Sequence, residues 1–275
     1  MPQIFVGFLV CLFAMFNATA SAVDPPKPDE IKKLILPGEA FLVEQRPAFI
    51  LWPAESLRKT PQPWVFYAPT LAGYPDEHEK WMHEQFLAAG VAIAGIDVGE
   101  AYGSPESARH FDALYTQLTT LKNFARKPCL LGRSRGGLWV TSWACAHPER
   151  FSGLAGIYPV FDFRTYPGIE NAAPAYGLSP DELTQQNETL NPIARMPALA
   201  KSRLPVFLIH GDEDTVVPLK ENSSAFVETY TKSGAADAVT LVVAKGQGHN
   251  YWEGFFRCQE LVDFVIERAI AGAAP

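Results

Sequence analysis

Residues 132–137 read Gly-Arg-Ser-Arg-Gly-Gly, between the apolar run 128–131 and the apolar, helix-forming segment 138–146. No other stretch limits the fold as strongly. A G-x-S-x-G element between a strand and a helix is a sharp turn that lifts the serine hydroxyl above the carboxyl edge of a sheet, where it can attack a carbonyl. Glycines flank the serine because the turn is strained and neighbouring backbone passes too close for a Cβ. Ser134 is therefore the candidate nucleophile, and the chain around it should alternate strands with helices.

The apolar pattern agrees. Runs at 40–44 and 48–52 around Gln45-Arg46-Pro47 predict an antiparallel hairpin. Further strands are expected at 64–67, 91–97, 128–131, 154–158, 204–210 and 239–243. Helices are expected at 77–89, 107–125, 138–146, 219–233 and 254–271. Alternation from residue 64 onward implies an α/β fold. Its sheet should be mostly parallel, with helices on both faces and the N-terminal hairpin as an antiparallel edge. Segment 161–203 breaks the rhythm; it is rich in Pro, Ala and Asn, with one weak helical pattern at 179–186. Such an insertion is expected to form a small cap or lid.

A chain of 275 residues, 48% apolar and 19% charged, has enough material for one full core. A net charge of -7 and the lack of any basic cluster exclude a nucleic-acid partner, because neutralising phosphates needs grouped Lys and Arg. The apolar run 4–16 is too short to span a bilayer, and Ala20-Ser21-Ala22 follows it. This pattern predicts a signal peptide over 1–22, a polar linker over 23–37 and a folded domain over 38–275. The mature protein is expected to be exported, periplasmic or secreted, with no stable membrane insertion after cleavage. Beyond the leader stand Cys129, Cys145 and Cys258, enough for one disulfide at most. No Cys/His spacing suits zinc, and neither a metal nor a cofactor is expected.

A serine hydroxyl needs a base to take its proton and a third group to orient that base. The order that accompanies G-x-S-x-G is serine, acid, histidine. Two downstream segments supply it: His-Gly-Asp-Glu-Asp-Thr-Val-Val-Pro at 210–218 and Gly-Gln-Gly-His-Asn-Tyr-Trp at 246–252. Each follows an expected strand, beyond whose carboxyl end a parallel sheet places its chemistry. His249 is the candidate general base, and His210 is expected to make a structural turn bond. Asp212, Glu213 and Asp214 compete for the third position.

Taken together, Gly-Arg-Ser-Arg-Gly-Gly, His-Gly-Asp-Glu-Asp and Gly-Gln-Gly-His make residues 38–270 resemble the α/β-hydrolase superfamily. The stretch from Asn191-Pro-Ile-Ala-Arg to Val217-Pro218 is most similar to prolyl-oligopeptidase-like and dienelactone-hydrolase-like members. The resemblance implies an α/β-hydrolase fold. Its His-Gly-x-x-Asp-x-x-Val-Pro pattern selects Asp214 as the acid, with Asp212 as fallback and turn residue. It also implies an oxyanion hole of two backbone amides. One is Arg135, directly after the nucleophile; by position the other is Leu71, with Thr70 as alternative, because Pro69-Thr70 replaces the usual His-Gly. Serine at the turn, in place of aspartate, implies acyl transfer.

Arg133 and Arg135 flank the nucleophile, each expected either to brace the turn on a carboxylate such as Glu100 or Asp97 or to contact substrate. Gly-x-Ser-Arg is similar to the turn of glucuronoyl esterases, although Leu138 stands where those enzymes carry lysine. Tyr102, Tyr251 and Trp252 are candidates for a wall that binds a sugar or aryl group. The expected function is a serine carboxylic-ester hydrolase acting on a small-molecule or glycan ester, including carbohydrate-linked esters. Its rivals are a small serine peptidase of prolyl-oligopeptidase type, whose relatives carry a propeller for which the chain has no room, and a non-catalytic binding protein on the same scaffold.

Overall fold

The computed structural model describes residues 31–274. The expected signal peptide and the linker residues 23–30 lie outside the described residues. Strands β1 (Gly38–Val43) and β2 (Arg46–Leu51) form the hairpin. Its turn is Glu44–Gln45, with φ of 48° and 65°, a two-residue turn matching the twist of the strands. Arg46 and Pro47, expected in the turn, therefore belong to β2.

After the hairpin come β3 (Trp64–Ala68), α1 (Lys80–Ala88), β4 (Ala92–Ile96), α2 (Pro105–Leu121), β5 (Cys129–Arg133) and α3 (Gly136–Ala146). Then follow β6 (Gly153–Ile157), α4 (Ile169–Tyr176), α5 (Pro180–Gln185), α6 (Asn187–Leu190) and α7 (Pro192–Lys201). The last elements are β7 (Val206–Gly211), α8 (Ala225–Lys232), β8 (Val239–Ala244), α9 (Glu253–Phe256) and α10 (Gln259–Gly272). One eight-stranded sheet runs β1-β2-β4-β3-β5-β6-β7-β8, antiparallel at β1–β2 and β2–β4 and parallel elsewhere.

The central strands are buried on both faces, which is why they read as unbroken apolar runs. Along β3, Trp64 and Phe66 enter a core with Phe111, Trp139 and Trp143; Val65 and Tyr67 enter the opposite one with Phe86, Leu131 and Leu261. Several boundaries differ from expectation for local reasons. Helix α2 starts early because Ser104 caps it with Pro105 at the first position, and it stops before Asn123, which turns to a φ of 56°. The helix expected at 219–233 opens with a single wide turn at 220–224. The last helix is broken at Arg257–Cys258.

Two expectations need correction. Residues 32–37 are not a free linker: Lys32 is buried, and Leu34 and Leu36 pack against the second core. Segment 161–203, expected as a cap, forms α4–α7, of which α7 packs against α3. Arg195 donates to Ser142 Oγ at 3.1 Å and Tyr176 Oη to the Tyr102 carbonyl at 2.8 Å, and no residue of the segment lines the Ser134 cleft. Cys129, Cys145 and Cys258 are free thiols.

Candidate active site

Ser134 connects β5 to α3 with φ at 51°, a strained conformation for a residue with a side chain. Its backbone is fully engaged: the N–H donates to the Ile157 carbonyl, and the carbonyl accepts from Gly137 and Val160, all at 2.9 Å. A Cβ on Gly136 would run into the Ala68 carbonyl, so the turn closes only with glycine there.

Because β5, β6, β7 and β8 are parallel neighbours, the loops after them meet along one edge of the sheet. Ser134 Oγ lies 2.9 Å from His249 Nε2, and His249 Nδ1 lies 2.7 Å from Asp214 Oδ2. Asp214 Oδ1 accepts from the amides of Val216 at 3.0 Å and Val217 at 2.8 Å. Buried His210 stands behind the carboxylate. Its Nε2 donates to the Val217 carbonyl at 2.8 Å and lies 3.4 Å from Asp214 Oδ2, while Nδ1 accepts from Ser223 Oγ at 2.8 Å. Burial alone would raise the Asp214 pKa. The bonds from His210, His249 and Val217 outweigh it and hold the carboxyl far below its usual range. An ionised Asp214 keeps the proton of His249 on Nδ1, which leaves Nε2 free to accept from Ser134.

The competing acids are used differently. Asp212 accepts from the Gly246 amide at 2.7 Å and pairs with Lys245 at 3.2 Å, tying the β7 loop to the β8 loop. The Glu213 amide donates to the Gln247 carbonyl at 2.9 Å, and the residue is exposed. Gly211 is required where these loops cross, since a Cβ there would meet the Gln247 carbonyl.

Among the described residues the amides of Arg135, Leu71 and Thr70 have no hydrogen-bond acceptor, so all three expected oxyanion donors are free. Thr70 is buried and its hydroxyl donates to the Ile96 carbonyl. The cleft beside Ser134 is a cavity of about 120 Å³ lined by Tyr74, Arg133, Tyr158, His249 and Tyr251.

The two arginines separate. Arg135 pairs with Glu100, as expected of a brace. Arg133 does not use Asp97, which is held by Lys32; its Nη1 lies 2.9 Å from both Asp76 and Glu79, and its Nε donates to Tyr158 Oη at 3.2 Å. Tyr74, Tyr251 and Phe256 surround its guanidinium, with ring centroids 5.1, 5.3 and 4.9 Å away. Glu79 is buried and accepts from Tyr67 Oη, and burial raises its pKa. Of the three aromatics expected to wall the site, Tyr251 lines the cleft. Trp252 packs edge-on against Phe255 instead, and the Tyr102 hydroxyl lies by Glu100, pushed up to about 12 by burial and that carboxylate.

Sequence reasoning missed Tyr158, whose ring centroid is 4.4 Å from that of His249, and the acids that hold Arg133. Asp76-x-x-Glu79 carries a legible signal, since it is the capping box that starts the helix at 77–79. Nothing in it points to Arg133, 57 residues away for Asp76.

Residues 115–265, more than half of the chain, match the prolyl oligopeptidase family. The chain belongs to that family of serine hydrolases. No curated protein matches it in sequence. Solved structures share the α/β-hydrolase fold at low identity. A puromycin-hydrolyzing peptidase of Mycobacterium tuberculosis is 15% identical, with a TM-score of 0.65 over 84% of this chain and 40% of its own. Dipeptidyl peptidase 4 of Porphyromonas gingivalis is 16% identical, with a TM-score of 0.64 over 84% of this chain and 35% of its own. Est1E of Butyrivibrio proteoclasticus is 18% identical, with a TM-score of 0.63 over 85% of this chain and 99% of its own. This member of the prolyl oligopeptidase family thus spans 35% to 40% of the length of those peptidases.

Proposed function

We propose that this protein is an exported serine hydrolase that cleaves carboxylic esters with a short, uncharged acyl group. The observation that carries the reading is the Ser134–His249–Asp214 relay, at 2.9 and 2.7 Å, opening on a cavity with free amides beside it. Ser134 Oγ attacks the ester carbonyl as His249 Nε2 takes its proton, and Asp214 stabilises the imidazolium. The amides of Arg135 and of Leu71 or Thr70 receive the oxyanion. His249 returns the proton to the leaving alcohol. Water, deprotonated by His249, then attacks the acyl carbon, and the Ser134–acyl bond breaks to release the acid.

The size and lining of the cleft support ester over peptide. A cavity of about 120 Å³ beside Ser134 leaves room for a short acyl group. No carboxylate lines it, and the nearby Asp76 and Glu79 are committed to Arg133, so an aminoacyl group finds no counter-ion there. Tyr251 is exposed at the mouth, which suits a sugar or aryl alcohol as leaving group. Export rests on the apolar run 4–16 and Ala20-Ser21-Ala22. Membership of the prolyl oligopeptidase family favours a second reading, a small serine peptidase. Assaying p-nitrophenyl acetate and acetylated sugars beside p-nitroanilides of proline-containing dipeptides separates the two. Ester turnover at least about 100-fold above amide turnover is expected, and the reverse order would overturn the ester reading.

A further inference from the structure

We propose that Lys32, which precedes the first strand, is a positioning residue that fixes the loop carrying the second oxyanion donor. The inference rests on the serine-hydrolase reading above. The ammonium group of Lys32 is almost wholly buried, at 2% side-chain exposure. It donates to the Leu71 carbonyl at 2.7 Å and to both carboxylate oxygens of Asp97, at 2.9 and 3.1 Å. Asp97 directly follows β4, and the Thr70 hydroxyl is bonded to the last carbonyl of that strand, Ile96. Two neighbouring residues of one loop are thereby tied to the carboxyl end of the same strand.

Apart from a turn bond from the Tyr74 N–H to the Leu71 carbonyl at 2.9 Å, the loop 69–73, which follows the end of β3, has no regular structure of its own to hold it against the sheet. Its amides at Thr70 and Leu71 are without acceptors. An amide stabilises an oxyanion only if it is already aimed at the place where charge develops; a loop that must reorganise loses that advantage. Lys32 contacts the loop on its carbonyl side, which leaves the amides free. A buried lysine is costly unless paired and fully bonded. Asp97 satisfies its charge, and the Leu71 carbonyl accepts a further N–H of the ammonium beside that of Tyr74, so the arrangement ties the loop down at that carbonyl. This holds whether Thr70 or Leu71 donates, because the Leu71 amide lies between the two anchors and the Thr70 amide belongs to the residue that carries the first.

The test compares Lys32→Met, which keeps the stem and removes the donors, with Lys32→Arg, which restores them, using p-nitrophenyl acetate and an alkyl boronic acid that mimics the tetrahedral adduct. The positioning role predicts a fall of about 30-fold in kcat for Lys32→Met with KM within about 2-fold. Boronate affinity should weaken by a similar factor, and Lys32→Arg should recover much of it. Asp97→Asn serves if Lys32→Met does not fold; it keeps the Leu71 bond, removes the charge that anchors Lys32, and should show the same split in smaller measure. A folded Lys32→Met protein with unchanged kcat and boronate affinity, made beside an inactive Ser134→Ala, overturns the positioning role alone. A Ser134→Ala protein as active as the wild type overturns both.

Discussion

His83 lies behind the Arg133 network, fully buried, with its ring edge-on to Tyr67 at 5.3 Å and, among the described residues, no hydrogen-bond partner on either nitrogen. Burial lowers its pKa from 6.5 to about 3, with Arg133 adding to that shift and Asp76 opposing it. The consequence is acid sensitivity. Above pH 6.5 the ring is neutral in both folded and unfolded chains and costs nothing by titration. Below it the unfolded chain binds a proton that the folded one refuses, so stability falls by about 1.4 kcal/mol per pH unit down to the folded value near 3. A drop to pH 4.5 therefore removes about 3 kcal/mol, a large share of an ordinary domain's stability. Replacing His83 by Phe removes this contribution. Urea unfolding of both proteins from pH 7.5 to 4.5 provides the measurement. A change in packing shifts the two curves by a constant; the loss of titration changes their separation with pH, and Glu79 and Asp214 act in both proteins and cancel. The His83→Phe protein should gain about 3 kcal/mol relative to wild type over that range. Parallel curves would refute the argument that this ring is held neutral by burial.

Two further outcomes follow from the site. Arg133→Met strands Asp76 and Glu79 without their shared counter-ion and should cost about 3–5 kcal/mol in urea unfolding, with Arg133→Lys recovering little because an ammonium cannot also bond Tyr158 and offers no planar face to Tyr74, Tyr251 and Phe256. Asp214→Asn should fold normally but lower kcat about 10⁴-fold, since an amide no longer holds the His249 proton on Nδ1; circular dichroism beside ester turnover checks both parts.

The relay was legible because its residues obey local rules that survive in one dimension. Ser134 is marked by the glycines its turn demands, and Asp214 and His249 each follow an apolar strand in a fixed order. The alternation that makes a parallel sheet was legible for the same reason. What escaped were contacts made between distant turns of chain. Lys32 lies in the segment 23–37 that reads as a linker, and its burial depends on Asp97 and Leu71, 65 and 39 residues on. Tyr158 ends an apolar run and reads as the last residue of a strand, yet its φ of 34° turns it out of β6 toward His249. Arg133 reads as a residue that braces the turn or contacts substrate, and nothing in the sequence marks Tyr74, Tyr251 and Phe256 as the rings around it. The insertion 161–203 broke the strand–helix rhythm, and only the packing of α7 on α3 showed that it flanks the site.

The account depends above all on Ser134 being a nucleophile activated by His249. Intact-mass measurement after treatment with a fluorophosphonate, followed by peptide mapping, addresses this directly. The wild type should gain one adduct, on Ser134, and both Ser134→Ala and His249→Ala should lose the labelling. An adduct of the same yield in Ser134→Ala, or a folded wild type that takes up no probe, would contradict it.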